Sequence, residues 1–131
     1  MIVLDASIVI ELLLRLPRAD LVHRRLRTEI SQLYVPHLMD VEVGQVLRRF
    51  MLRGEISASR ARQALADLEL LPISRCAHLP LLQRAFQFAS NLTVYDAVYL
   101  ALAESLEASL LTLDKALLSA NAHHVHVELL G

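Results

Sequence analysis

The stretch TVYDAVYLALAE, residues 93–104, is apolar or aromatic at every position from 94 to 103 except Asp96. Residues 97–103 are apolar around the whole circumference of a helix, which is typical of a helix buried in a protein core. A carboxylate in such a helix needs hydrogen bonds, a counter-charge or a metal ion to offset the cost of burial. No base lies between Arg84 and Lys115. The partner of Asp96 must therefore come from elsewhere.

The composition is that of a compact protein. The chain has 131 residues, of which 55% are hydrophobic and 21% are charged, and this length predicts one domain over residues 1–131. No uncharged apolar run reaches the ~18 residues of a membrane span, and the opening MIVLDAS lacks the basic region of a signal peptide. A single cysteine, Cys76, rules out an internal disulfide. We expect a cytoplasmic protein without a membrane partner.

The arginines are unevenly distributed. Residues 1–65 hold ten arginines against seven acids, whereas residues 66–131 hold three bases against seven acids. Arginine suits bidentate contacts with phosphate, but solvated helix faces account for the same distribution. The charge pattern alone therefore does not decide the partner.

Short apolar strands alternate with helices along the chain. Strands are predicted at residues 2–4, 33–35, 70–74, 109–113 and 124–130, and helices at 6–15, 18–30, 38–53, 57–69, 79–90 and 94–106. This alternation indicates an α/β fold with a short parallel sheet covered by helices on both faces. Three glycines in the whole chain leave no phosphate-binding glycine-rich loop. P-loop and dinucleotide-binding functions are thereby excluded.

Four acids stand at positions where this fold places ligands. Asp5 and Asp114 follow the first and fourth predicted strands, and the carboxyl ends of parallel strands open into one crevice. Either residue alone could simply cap a helix. Asp96 could likewise complete a capping box with Thr93, and Glu42, at the border of the apolar stripe of its helix, could pair with a nearby arginine.

Together the four acids indicate a metal site. Clustered carboxylates repel one another, and without a cation some would be pushed toward protonation. Mg²⁺ or Mn²⁺ resolves this repulsion because both prefer carboxylate oxygens and retained water. Such an ion activates water and stabilises charge on an attacked phosphate, as phosphodiester hydrolysis requires. A cysteine–histidine set of the zinc type is absent from the sequence.

Four segments resemble PIN-domain nucleases, specifically the VapC-type toxins of bacterial toxin–antitoxin pairs. They are IVLDAS (2–7), VPHLMDVEVGQVLRR (35–49), LTVYDAVYLALAE (92–104) and LLTLDKAL (110–117). The resemblance implies a PIN-like three-layer α/β/α fold with a four-acid site at Asp5, Glu42, Asp96 and Asp114. It also implies supporting hydroxyls at Ser7 and Thr112. Gln45 stands where the family often has an asparagine.

The same resemblance implies a Mg²⁺- or Mn²⁺-dependent endoribonuclease. Its expected partners are RNA, a cognate antitoxin and a second copy of the chain. We expect single-stranded or loop RNA to approach over the arginines of the amino-terminal half, with Arg48 and Arg49 as the nearest candidates. The apolar segment 7–14 could be covered by a partner or buried within the domain.

Other functions remain to be weighed. A PIN-like module that binds RNA or protein without cleavage is the alternative, and acids at all four positions argue against it. Haloacid-dehalogenase phosphatases need a second aspartate where Ser7 stands, and receiver domains need an acidic pair after the first strand. His123, His124 and His126 are histidines near a chain end, which are more often solvated than metal ligands.

Overall fold

A computed structural model of the protein describes residues 1–29, 32–118 and 125–131. Five strands form one parallel sheet in the order β3-β2-β1-β4-β5. The strands are β1 (Ile2–Leu4), β2 (Leu33–Pro36), β3 (Ser74–Cys76), β4 (Ser109–Thr112) and β5 (Val127–Leu129). The central strand β1 is buried at all three positions, as a strand covered on both faces must be.

The helices lie on both faces of the sheet. They are α1 (Ala6–Leu14), α2 (Ala19–Leu26), α3 (Leu38–Leu52), α4 (Ala58–Leu70), α5 (Leu82–Phe86) and α6 (Val94–Leu106). Connections between parallel strands are right-handed. Helices α1–α4, which lead from β1 through β2 to β3, therefore cover one face, and α5 and α6, which lead back to β4, cover the other. The predicted three-layer α/β/α architecture is confirmed.

The quoted stretch forms the centre of one outer layer. Helix α6 contacts β1, β2 and β4, and its residues 97–103 are all buried. On the other face, α1 buries Ile8, Val9, Ile10 and Leu13 within the chain itself. Burial inside the domain, one of the two explanations for the apolar segment 7–14, therefore accounts for most of it.

Two predicted elements, a strand and a helix, have different bounds in the structure. The strand expected at residues 70–74 lies at Ser74–Cys76, because α4 continues to Leu70 and the strand pairs in register with Tyr34–Pro36. Arg75 holds this register by a two-bond ion pair with Asp40. The helix expected at 79–90 is α-helical only from Leu82 to Phe86. Hydrogen bonds that span three residues, such as the one from Ala89 N–H to the carbonyl of Phe86, follow it.

A second helix and the last strand also have different bounds from those predicted. The helix expected at 18–30 ends at Leu26, and the last strand spans Val127–Leu129. His123 and His124 lie outside the described residues. Within the described ranges, every helix is too short or too polar to cross a membrane.

The sheet order reverses between β1 and β4. The chain leaves β1 toward β2 on one side, whereas β4 and β5 lie on the other. This is the topological switch point, where α/β folds open a crevice at the carboxyl ends of the strands. The residues that follow β1 and β4, Asp5 and Asp114, stand at this crevice.

Candidate active site

Asp5 occupies the centre of the crevice. Its side chain is 6% exposed and caps α1, where Oδ1 accepts the backbone N–H of Ile8 at 3.3 Å. The capping role predicted as one possibility for Asp5 is therefore real. Capping is not its only interaction, because both carboxylate oxygens also accept hydrogen bonds from hydroxyl groups.

Two hydroxyls hold the Asp5 carboxylate in place. Ser7 Oγ donates to Asp5 Oδ1 at 2.5 Å and accepts the N–H of Leu113 at 3.0 Å. Thr112 Oγ1, fully buried, donates to Asp5 Oδ2 and accepts the N–H of Asp114 at 2.9 Å. Each hydroxyl oxygen receives a backbone proton, so its own proton points at Asp5. The two residues named as supporting hydroxyls thus tie the end of β4 to the carboxylate after β1.

Asp96 comes from the opposite layer. It lies in the first turn of α6, where the Thr93 hydroxyl caps the helix by accepting the N–H of Asp96 at 3.2 Å. Its side chain is partly buried. Because α6 runs over the central strands, its amino-terminal turn reaches the same crevice that Asp5 and Asp114 border.

Glu42 approaches from α3. Its carboxylate accepts a hydrogen bond from the Tyr99 hydroxyl. Tyr99 is 2% exposed and lies on α6, three residues beyond Asp96 and hence on the same helix face. Neither Arg48 nor Arg49 bonds to Glu42 within the described part of the chain, so the pairing considered from sequence is absent there.

The electrostatics show that the four carboxyl groups share one environment. Burial, followed by repulsion from Asp114, raises the pKa of Asp96, and burial also raises the pKa of Asp5 against its hydrogen bonds with a further contribution from Asp114. The pKa of Glu42 is raised by burial and by the charges of Asp96 and Asp5, against the Tyr99 hydrogen bond. Each of the four acids thus takes part in at least one repulsive pair with another of them.

The donor set suits a hard divalent cation. The four acids and the Ser7 and Thr112 hydroxyls offer oxygen ligands, which Mg²⁺ and Mn²⁺ prefer. Across the described residues no arginine, lysine or histidine pairs with any of the four acids. In the same part of the chain, no group of three or more histidine, cysteine, aspartate or glutamate side chains is arranged to hold a metal ion. An ion that keeps several waters and binds one or two carboxylates directly fits this arrangement.

Two cavities flank the carboxylates. The Glu42 cavity, of ≈ 450 Å³, is lined by Ala6, Leu38, Val41, Glu42, Gln45, Val46, Arg49 and Tyr95. The Asp114 cavity, of ≈ 350 Å³, is lined by Ala6, Ser7, Ile10, Glu11, Leu16, Arg18, Val46, Arg49, Leu113 and Asp114. Arg49 borders both, because it stands two helical turns after Glu42 on the same face of α3. Arg48 borders neither.

Two residues escaped the sequence reasoning. Tyr99 received no functional role from the sequence, although its spacing from Asp96 places both residues on one face of α6. Glu11 is 3% exposed inside α1 and accepts the backbone N–H of Arg18 at 3.0 Å. It also pairs with the Arg18 guanidinium at 3.5 Å, and so anchors the turn after α1 beside the Asp114 cavity. No local sequence pattern indicates that Glu11 is buried against Arg18.

Comparison with known proteins agrees with this geometry. A protein-family model described as PIN domain matches residues 2–122. Ribonuclease VapC12 of Mycobacterium tuberculosis is 39% identical over 131 residues, which is 100% of both chains. Ribonuclease VapC1 of the same organism is 43% identical over 119 residues, or 90% of this chain and 89% of that one.

Solved structures share the fold at lower identity. VapC20 of Mycobacterium tuberculosis, described as a sarcin–ricin loop cleaving toxin, superposes with a TM-score of 0.73 and 15% identity over 96% of this chain and 99% of that one. VapBC2 from Rickettsia felis, bound to a DNA fragment from its promoter, gives a TM-score of 0.69 and 12% identity over 98% of each chain. These structures show a shared fold, whereas the family model and the sequence relatives show that the chain belongs to the PIN-domain family, and within it to the VapC ribonucleases.

Proposed function

We propose that the chain is a metal-dependent endoribonuclease that acts, as a single domain over residues 1–131, as the toxin of a toxin–antitoxin pair. One observation carries the proposal. Neighbouring acids, Asp114 among them, contribute to the raised pKa values of Asp5, Glu42 and Asp96, and none of these four acids has a basic partner among the described residues. Relatives that match along most or all of the chain are named ribonucleases.

Mg²⁺ or Mn²⁺ is the proposed cofactor. Asp5, Asp96 and Asp114 would hold it directly or through water, and Glu42 would complete the cluster. When bound, such a cation lowers the pKa of coordinated water and stabilises the charge that develops on an attacked phosphate. It would also offset the mutual repulsion that raises the pKa of Asp5, Glu42 and Asp96.

The protein's own groups orient the reaction. Ser7 and Thr112 fix both oxygens of Asp5, and Tyr99 fixes Glu42. We assign to Glu42 the orientation of the attacking water. The water strikes the phosphorus in line, the bond from phosphorus to the 3′ oxygen breaks, and the products are a 3′-hydroxyl and a 5′-phosphate.

Arg48 and Arg49 are proposed to contact the RNA backbone. The position of Arg49 between the two cavities supports its role, because a guanidinium there lies beside the carboxylates where phosphates must pass. Arg48, one residue earlier, points to another face of α3 and has less support. The pair therefore provides its own comparison, in which Arg49→Gln weakens RNA binding more than Arg48→Gln does.

The proposed protein partners are a cognate antitoxin and a second copy of the chain, in the cytoplasm. The structural likeness to VapBC2, a toxin–antitoxin complex, supports the antitoxin. An apolar ridge on and before α5 supports self-association, since large apolar side chains exposed together are typical of interfaces. The ridge consists of Leu79, Leu82 and Phe86, which are 74%, 37% and 69% exposed.

An RNA cleavage assay tests the proposal. The purified protein is incubated with a structured RNA in Mg²⁺, in Mn²⁺ and in EDTA, and new 5′ ends are sequenced. We expect discrete 5′-phosphate ends that require the divalent ion and that Asp96→Asn abolishes. Binding of RNA without new ends under all three conditions would instead identify the non-cleaving module and overturn the proposal.

A further inference from the structure

The Glu42 cavity has a composition that phosphodiester hydrolysis does not by itself require. Its open side carries two large exposed groups, Tyr95 at 62% and Val41 at 72% exposure. Leu38 extends the apolar wall, whereas Glu42 and Arg49 supply a carboxylate and a guanidinium on α3. The cavity therefore offers an aromatic surface, a cation and a catalytic acid within ≈ 450 Å³, a size within the range of small-ligand sites.

Tyr95 differs from its helical neighbour in a way that calls for a role. Tyr99 is 2% exposed and serves Glu42, whereas the Tyr95 ring remains largely in solvent directly before Asp96. Tyr95 also borders a second, apolar cavity of ≈ 310 Å³ lined by Leu38, His78, Leu82, Val94 and Val98. The ring thus stands between two open spaces, accessible to a planar group.

Arg49 provides the second observation. Among the described residues its guanidinium makes no hydrogen bond or ion pair, unlike Arg25, Arg75 and Arg84, which each hold an acid. Arginine pairs strongly with phosphate because its planar donors match two phosphate oxygens. An unpaired guanidinium beside an acidic cluster is therefore available to a polyanion that the cluster itself would repel.

We propose that the Glu42 cavity is a nucleotide subsite, in which one unpaired base of single-stranded RNA stacks on Tyr95 while a phosphate of the same strand pairs with Arg49. The inference rests on the proposed nuclease function and names how that site takes its substrate. Stacking on an aromatic side chain tolerates every base, so the subsite selects an unpaired nucleotide next to the cleaved bond and not a base identity. Duplex RNA, whose bases remain stacked on each other, is excluded from it.

RNA is favoured over a second copy of the chain as the occupant of this cavity. The cavity contains an unpaired cation and adjoins the four acids. The apolar ridge, in contrast, consists of three uncharged side chains, Leu79, Leu82 and Phe86. A polyanion with apolar faces matches the cation and the aromatic ring together. An apolar protein surface would leave Arg49 desolvated without a partner, which costs free energy.

Binding is measured separately from cleavage, so that the two proposals can fail independently. Fluorescence anisotropy in EDTA follows the wild type with two labelled probes of about twelve nucleotides, oligoadenylate and a ribose–phosphate chain of equal length without bases. The variants are Tyr95→Leu, its matched control Tyr95→Phe, Arg49→Gln and its matched control Arg48→Gln. Light scattering reports the oligomeric state of each.

The expected results are specific to each residue. The wild type prefers oligoadenylate to the chain without bases, and Tyr95→Leu reduces this preference about 5- to 100-fold while Tyr95→Phe keeps it. Arg49→Gln weakens both probes alike and reduces the slope of log K against log salt by about 0.7. Arg48→Gln changes that slope less.

Three results would overturn the subsite. One is an unchanged preference for bases in Tyr95→Leu, and another is an equal loss of preference in Tyr95→Phe. The third is a change of oligomeric state in Tyr95→Leu without any change in RNA binding, which would assign the surface to a protein contact. Failure of the wild type to cleave RNA in the separate metal-dependence assay would overturn the nuclease function. The binding measurements would then still decide whether the cavity binds a nucleotide.

Discussion

Replacing Thr112 by valine tests the hydrogen bonds that hold the Asp5 carboxylate in place. Valine has nearly the volume of threonine but lacks the hydroxyl. Thr112 is fully buried, and its hydroxyl donates to Asp5 Oδ2 and accepts the N–H of Asp114. The substitution therefore removes a donor from a buried carboxylate and an acceptor from a backbone N–H, with little change in packing.

The expected loss of stability follows from these two bonds. A hydrogen bond to a charged group contributes about 1.5–3 kcal/mol, and a backbone N–H without an acceptor costs about 1 kcal/mol more at this solvent-accessible edge. We expect Thr112→Val to lower the free energy of unfolding by about 2.5–4 kcal/mol. For 131 residues at about 2.1 cal/mol/K of unfolding entropy per residue, the Tm falls by about 9–15 °C.

The loss should also depend on pH. Burial raises the pKa of Asp5 in the folded protein above its ordinary value of 3.8, and the Thr112 hydrogen bond opposes this rise. Removing the bond raises the folded pKa further, so the ionised carboxylate destabilises the variant most above that pKa. Below about 3.8 Asp5 is protonated in both states, and this part of the difference disappears.

Urea unfolding of wild type and variant at several pH values, in EDTA, measures both effects. Thr112→Ser, which keeps the hydroxyl, is the matched control and should retain the pH dependence of the wild type. A difference below about 0.5 kcal/mol, the range of ordinary surface substitutions, or one that does not change with pH, would refute the role assigned to the Thr112 hydroxyl. RNA cleavage by Thr112→Val should fall about 10- to 100-fold, as for other residues that orient a metal ligand.

Three further predictions concern charge. Asp96→Asn should reduce cleavage by about 100-fold or more, yet leave the metal-free protein as stable as the wild type or more stable at pH 7 by urea unfolding, because repulsion from Asp114 is relieved; a large loss of stability would point to helix capping as the main role of Asp96. Mg²⁺ should raise the Tm of the wild type in a concentration-dependent manner, since it binds the folded state, and an equal rise in Asp96→Asn would contradict the assigned site. Glu128→Gln breaks the ion pair with Arg25 that joins β5 to α2, whose side chains are 26% and 28% exposed, and should cost about 1 kcal/mol at pH 7. This pair lowers the pKa of Glu128 below its ordinary value of 4.5. The difference in free energy of unfolding between wild type and variant, measured with urea, should therefore vanish as the pH falls through the folded pKa. A difference that persists below that pKa would exclude the ion pair as its cause.

Local signals in the sequence were sufficient for the elements that carry the site. The short strand IVL before Asp5, the capping pair Thr93 and Asp96 and the all-apolar residues 97–103 each reflect a preference that acts within one turn or one strand. The structure places each of these where the pattern indicated. Asp5 and Asp114 come together because parallel strands end at one edge of a sheet, a consequence of topology alone.

Local signals failed where the free energy depends on a distant partner. The strand assigned to residues 70–74 begins at Ser74 because its register is determined by pairing with β2 and by the Arg75–Asp40 ion pair. Likewise, an apolar run such as LLPI is compatible with a helix end or a strand. Only the contact across the sheet distinguishes them.

By itself, the sequence determined the layered parallel fold, because periodicity and strand ends are properties of neighbouring residues, and it named the four acids that are proposed as the site. Only the tertiary structure decided that Tyr99 is the partner of Glu42, that Glu11 is buried against Arg18, and that Tyr95 stands open beside the acids while Tyr99 is enclosed. Both tyrosines have the same helical propensity, and the all-apolar residues 97–103 predicted burial of Tyr99 without predicting an open ring at Tyr95. What separates them is which layer of the folded chain lies opposite each ring, and that depends on packing between elements far apart in sequence.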